Sequence, residues 1–193
     1  EVKFCKKCVE SNQRFVSSVQ HKMTQDEKKD TAMFDDEGVC LSCRYFEKKE
    51  KFDWVQKEKE LTDILDRYRS KDGSYDVVVP GSGGKDSIWV SIILKEKYKM
   101  NPITITWAPG LYTDIGWKNY DSWLSYGFDN YLFTPNKKIH GLLTRLAFLN
   151  LLHPFQPFVL GQNSLASRFA SSRGIKLIVY GDGMAEKFIG KIN

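Results

Sequence analysis

Two groups of residues in this 193-residue chain have types and spacings suited to chemistry. The first is Ser82-Gly83-Gly84-Lys85-Asp86-Ser87, which follows three β-branched residues, Val77-Val78-Val79. It precedes a run that is apolar at Ile88, Trp89, Ile92 and Ile93 and charged from Lys95 onward. A strand, a glycine loop and a helix in that order aim unpaired backbone N–H groups and the positive end of a helix dipole at one point, which suits phosphate. The Walker pattern does not fit, because Asp86 follows Lys85 and Val79 stands where the first glycine should be. The dinucleotide fingerprint fails too, since it would need glycine at Asp86. The second group is Cys5-x-x-Cys8 and Cys40-x-x-Cys43. Two such pairs read as two knuckles offering four thiolates to one tetrahedral zinc, a closed and therefore structural site. Disulfides and a redox pair are the competing readings. Disulfides are disfavoured in a chain that opens without a secretory signal, and a redox motif needs no second matched pair. His21 could replace a ligand, but it reads as a solvated loop residue.

The glycine stretch closely resembles the pyrophosphate (PP) loop, Ser-Gly-Gly-x-Asp-Ser, of the N-type ATP pyrophosphatases. These enzymes split ATP to AMP and pyrophosphate. The resemblance implies that Ser82, Gly83, Gly84, Lys85, Asp86 and Ser87 bind ATP, with Lys85, Asp86 and Ser87 in the catalytic set. In that reading backbone N–H groups, the two serine hydroxyls and the Lys85 ammonium neutralise the charge on departing pyrophosphate. Asp86 is cast as holding Mg²⁺ or orienting the loop.

These groups must be positioned by the rest of the chain. At 193 residues it can bury one good core plus a small appendage. Residues 1–72 hold 16 basic and 16 acidic side chains, and residues 73–193 hold 13 against 8, the whole of the net +5. That excess suits a polyphosphate ligand and is too small to argue for nucleic acid. No run approaches the length of a membrane span, so a cytoplasmic protein is expected. Residues 1–50 read as a zinc-ribbon module with a polar insertion over 17–31, and residues 51–73 as an amphipathic linker helix ended by Lys71-Asp72-Gly73-Ser74. Residues 74–193 alternate as α/β proteins do. Strands are expected at 77–79, 103–107, 130–134, 157–160 and 176–180. Helices are expected at about 87–99, 114–126 and 139–152, and from Gln162-Asn163-Ser164 to Ser172. Right-handed crossovers then give a parallel sheet with ligands at its carboxyl edge.

Taken together, the motifs Cys5-x-x-Cys8-Val9-x-Ser11-Asn12-Gln13-Arg14, Phe34-Asp35-x-x-Gly38-Val39-Cys40-x-x-Cys43-Arg44 and the glycine loop resemble the N-acetyl sugar amidotransferases. The likeness continues through Trp107-Ala108-Pro109, Tyr112–Asn119, Leu143–Ala147 and Leu152–Phe158. It implies an α/β PP-loop domain, adenine-nucleotide alpha-hydrolase-like, behind a zinc ribbon. It further implies ATP, Mg²⁺ and structural zinc as cofactors, and a nucleotide-linked N-acetyl sugar as substrate. Ammonia would come from a partner glutaminase, in bacterial surface-polysaccharide pathways such as lipopolysaccharide biosynthesis. The acetamido group would become an acetamidino group. Asp114, Gln162 and Asn163 are then further ATP contacts, and Arg145 a sugar contact. Asp182, in Gly181-Asp182-Gly183 where the family carries Gly-Glu-Asn, is a second sugar contact. Relatives continue beyond Asn193, so the expectation is either a missing C-terminal portion or a shortened homologue, with part of the sugar site absent. The alternatives are a tRNA-modifying PP-loop ATPase, which lacks its usual spare cysteines here, and a non-catalytic zinc-ribbon adaptor.

Overall fold

The computed structural model describes residues 1–15, 26 and 30–182. Most of the expected insertion at 17–31, His21 and Gly183 lie outside the described residues. Glu1–Lys59 and Glu60–Asp182 form two compact units.

The first unit is built from turns. Phe4 bridges Ser11 and Phe34 bridges Cys40, both antiparallel; the first closes around Cys5-x-x-Cys8, and the second closes the turn that delivers Cys40. The two knuckles are joined by the Lys6 N–H donating to the Gly38 carbonyl at 3.1 Å. Helix α1, Leu41–Glu50, starts inside the second knuckle. The amphipathic segment after it is not one helix continuing from α1. The chain breaks at Lys51–Asp53, where the Asp53 carboxylate accepts from the Gln56 N–H at 2.9 Å and so starts α2, Trp54–Tyr68.

The second unit is a four-stranded parallel sheet in the order β3-β2-β1-β4. Its strands are β1 Val77–Pro80, β2 Pro102–Trp107, β3 Asn130–Phe133 and β4 Leu177–Ile178. Val77 and Val79 pack with Leu65 of α2, Leu94 and Met100 on one face, while Val78 packs with Ala166 and Ala170 on the other. Because alternate side chains point to opposite faces, a strand sandwiched this way must be apolar throughout, as Val77-Val78-Val79 is. Ile103 and Ile105 of β2 join the second face. Thr104 and Thr106 on its first face are fully buried, and the Asn130 amide pairs with them by donating to Thr104 Oγ1 at 2.9 Å and Thr106 Oγ1 at 3.2 Å. Buried Asp76 fixes the entry to β1, its carboxylate accepting from the N–H groups of Asn101 at 2.8 Å and Ser70 at 3.1 Å.

The helices are α3 Lys85–Ile92, α4 Asp114–Ser125, α5 Lys137–Leu151 and α6 Gln156–Arg173. The α3 segment runs on through a π-type turn, Ile93–Lys97, and ends at Lys99, whose φ of 54° is left-handed. The expected strand at 157–160 does not exist; those residues form the first turns of α6. A four-residue apolar run cannot be assigned by periodicity, and Pro157 suits a helix start, where its missing N–H is no loss. Gln162 and Asn163 therefore sit on a helix rather than in a loop at a strand end. Among the described residues, no helix is long and apolar enough to cross a membrane.

Candidate functional site: a glycine loop and a four-cysteine cluster

The loop leaves β1 at Pro80, beside β4, where the strand order reverses and a crevice opens. Its glycines are required by packing. A Cβ on Gly81 would lie 2.3 Å from the Ser87 Cβ and 2.9 Å from the Trp123 ring. Gly83 has a φ of 84°, and a Cβ there would come within 2.8 Å of the Tyr120 backbone on α4. Gly84 differs: nothing lies within 4 Å of where its Cβ would be. It is also the N-cap of α3 and supplies no side-chain cap, so the first-turn N–H groups remain for a ligand. Behind the loop, the Trp123 indole donates to Ser91 Oγ at 3.2 Å, and that hydroxyl donates to the Ser87 carbonyl at 2.7 Å.

A cavity of about 240 Å³ opens over this loop. It brings together Ser82, Gly84, Asp86 and Ser87 from the loop, Gln162 and Asn163 from α6, and Asp182 beyond β4. Ser87 is buried, and its hydroxyl donates to the Gly84 carbonyl at 3.0 Å, which leaves its lone pairs rather than its proton for a ligand. Gly83, Lys85, Asp114 and Arg145 are not among the lining residues. Gly83 is buried against α4, Lys85 is exposed at the start of α3, Asp114 is exposed at the start of α4, and Arg145 is exposed on α5.

Three contributors were missed in the sequence. Gly181 packs on the loop itself, since a Cβ there would lie 2.7 Å from the Asp86 carbonyl carbon and 2.9 Å from the Ser87 nitrogen. Tyr180 and Trp107 also line the cavity. The signal all three carried was a place at or just past the carboxyl end of an expected strand.

In the first unit, the sulfurs of Cys5, Cys8, Cys40 and Cys43 all lie within 4.8 Å of one another. Cys8 and Cys40 sulfurs are 3.6 Å apart, and Cys5 and Cys43 sulfurs 4.0 Å. A disulfide would need about 2.05 Å. A tetrahedron with Zn–S bonds of about 2.3 Å has edges of roughly 3.8 Å, so the donor set and spacing fit zinc. Backbone donors support the charge: the N–H groups of Cys40 and Lys7 point at the Cys5 sulfur at 3.2 and 3.3 Å. Burial pushes the Cys5 thiol up, but those donors and the Cys8 N–H outweigh it and bring it down to about 6. Burial pushes the Cys40 and Cys43 thiols up, the cost that a bound cation would offset.

The second knuckle is tied to α1 by ions. Asp35 Oδ1 accepts from the Val39 N–H at 2.9 Å and the Glu37 N–H at 3.0 Å, while Oδ2 accepts from Arg44 Nε at 2.5 Å. These contacts, the Val39 N–H first, hold the Asp35 carboxyl below its ordinary range. Arg44 also pairs with Glu37 and Glu47, and Lys7 pairs with Glu47. The turn in Phe34-Asp35-x-x-Gly38-Val39-Cys40 thus has a purpose, and Gly38, at a φ of 78°, lets it close.

No family model matches the chain. An uncharacterized protein of Methanocaldococcus jannaschii is 31% identical over 72 residues, which are 37% of this chain and 26% of that one. Among solved structures, the NH3-dependent NAD synthetase of Campylobacter jejuni, in complex with the nitrate ion, matches at a TM-score of 0.52 and 15% identity. That match covers 70% of this chain and 59% of the synthetase. A predicted subunit of tRNA methyltransferase from Methanocaldococcus jannaschii matches at a TM-score of 0.41 and 21% identity, over 62% of this chain and 58% of that one, too weakly to carry an argument. The chain thus spans about a quarter of its curated relative and under two thirds of either structure. The likeness to the synthetase shows the fold alone, an α/β parallel sheet; the cysteine cluster able to hold zinc is a finding of this chain's own geometry.

Proposed function

We propose that the second unit binds ATP through Ser82–Ser87 and cleaves it between the α- and β-phosphates to activate the amide of an N-acetylated, nucleotide-linked sugar. The observation that carries this is the cavity at the switch point of the sheet. There the uncapped start of α3 meets a loop whose Gly81 and Gly83 pack on α4 and whose Asp86–Ser87 backbone packs on Gly181.

An amide oxygen is a poor leaving group. In the proposed reaction that oxygen attacks the α-phosphorus, the bond to the β-phosphate oxygen breaks, and pyrophosphate leaves. Ammonia adds to the activated carbon; the C–O bond then breaks, AMP departs with the oxygen, and a proton is lost to give the acetamidino group. The chain's part is to hold and orient the phosphates with backbone N–H groups and Lys85, so that departure is in line. Asp86 would hold Mg²⁺, which supplies charge neutralisation at the phosphates. Gln162, Asn163 and Asp182 line the same cavity and would contact ATP or the sugar. The synthetase that shares the fold is, by its name, ammonia-dependent, which supports ammonia as the nitrogen source; a glutaminase partner as its supplier rests on the sequence resemblance alone. Zinc on the four cysteines would be structural.

The test is release of AMP and pyrophosphate from ATP when ammonium and a panel of nucleotide-linked N-acetyl sugars are present. Asp86→Asn should retain ATP binding and lose turnover by about 30- to 1,000-fold, roughly 2–4 kcal/mol. Products of ADP and phosphate, or an Asp86→Asn variant as active as the parent, would overturn the reading.

A further inference from the structure

Trp107 lines two cavities. One is the nucleotide cavity, and the other, of about 610 Å³, is lined chiefly by α5, α6 and the segment after β3. Two neighbours pack against the indole. Phe133 stands 4.9 Å away between ring centroids, and a Cβ on Gly161 of α6 would lie only 2.4 Å from the ring. The His140 ring, 6.3 Å away, faces the same second cavity. Trp107 Nε1 and His140 Nε2 are both buried without a hydrogen-bond partner. Buried ring nitrogens are normally paired, and leaving two unpaired beside one cavity is costly.

The remaining lining narrows what would pair them. Ile139, Leu143 and Leu160 make the wall apolar, and the polar groups, among them Asn136, Asn150 and Ser164, are neutral. No lysine or arginine lines it, so it offers nothing to a phosphate. An indole N–H can only donate, so the ligand must present an acceptor. Apolar walls with a few placed polar groups are the usual make-up of a small-molecule site. The cavity also lies where β2 and β3 end, the edge at which parallel sheets bind ligands.

We infer that this second cavity seats the neutral N-acyl ring of the amide substrate, with Trp107 and His140 as substrate-binding residues. The inference rests on the reading given under Proposed function. The sugar's apolar ring face and acetamido methyl lie on the Trp107 and leucine wall, and its carbonyl and hydroxyl oxygens pair with the two ring nitrogens. The shared Trp107 wall then places the amide next to the nucleotide cavity, where its oxygen must meet the α-phosphorus.

The experiment follows the tryptophan indole N–H resonances of the ¹⁵N-labelled chain, with Trp107 assigned by its loss in Trp107→Phe. N-acetylglucosamine, N-acetylgalactosamine and N-acetylmannosamine are titrated separately, with glucose as control, and MgATP binding is measured in parallel. At least one N-acetyl sugar should move the Trp107 resonance where glucose does not. Its affinity, measured by titration calorimetry, should fall about 10-fold or more in Trp107→Phe and in His140→Ala, with melting temperatures close to the parent's. If MgATP binds but no N-acetyl sugar moves the resonance, or if both variants bind sugar like the parent, the inference is wrong and the nucleotide reading stands. If MgATP does not bind, the nucleotide reading itself falls.

Discussion

The cysteine cluster and the glycine loop are both tight backbone turns that present donor atoms, yet they are held in different ways. At the cluster, most supports come from within a knuckle, and the Cys40 N–H on the Cys5 sulfur crosses between the two. The N–H of Lys7 serves Cys5, the N–H of Glu10 serves Cys8 at 3.5 Å, and Asp35 closes the turn that leads to Cys40. At the loop the supports come from far along the chain: Tyr120 against Gly83, Trp123 against Gly81 and Gly181 against Asp86. A coordination shell can be written into two short spacings, because four bonds to one ion fix the geometry. A phosphate cradle needs close backbone approach, and the neighbours that set the approach are chosen by tertiary packing.

The difference can be broken or sharpened by experiment. The largest effect is expected from stripping the metal or from Cys40→Ser. Structural zinc sites contribute apparent binding energies of about 10–16 kcal/mol near neutral pH, so the first unit should lose its fold. Zinc content measured alongside MgATP affinity is the check, with the loop expected to keep its ligand. Parallel loss of both would end the contrast drawn here.

A smaller effect should separate two adjacent glycines. Gly83→Val places a branched side chain on the α4 backbone at a left-handed φ, and should cost roughly 2–4 kcal/mol of stability from strain and overpacking. Gly84→Val meets open space in an ordinary conformation, so its melting temperature should stay near the parent's while MgATP affinity falls at least 10-fold. Thermal unfolding and equilibrium dialysis on both variants decide this. Equal destabilisation would mean that Gly84, like Gly83, is there for packing.

The smallest effect should come from Asp35→Asn. Asp35 has a folded pKa below its ordinary value of 3.8. Its contribution to stability is therefore complete above that value and is lost as the pH falls through the lower folded value. The stability gap between parent and variant should be widest above about pH 5 and should close in more acid solution. A gap that grows with acidity would show that Asp35 is not held as an anion by the Val39 N–H and Arg44.

Much of the molecule was legible in the chain. Val77-Val78-Val79 read as a strand covered on both faces, the cysteine spacings favoured knuckles over disulfides or a redox pair, and the apolar spacing over 139–152 marked a helix that the structure starts at Lys137, behind an Asn136 side-chain cap. These features are local, so residue type and spacing determine them. The strand expected at 157–160 failed because four apolar residues carry no period, and only the packing of Gly161 on Trp107 and of Ala166 and Ala170 on the sheet shows that segment to be a helix. The partners of the loop were beyond reach for the same reason. That Gly181 lies on Asp86, or that Trp107 separates two cavities, follows from β4 pairing with β1 and from α6 crossing the sheet. Long-range pairing is settled by the whole core at once, and no short stretch of sequence contains it.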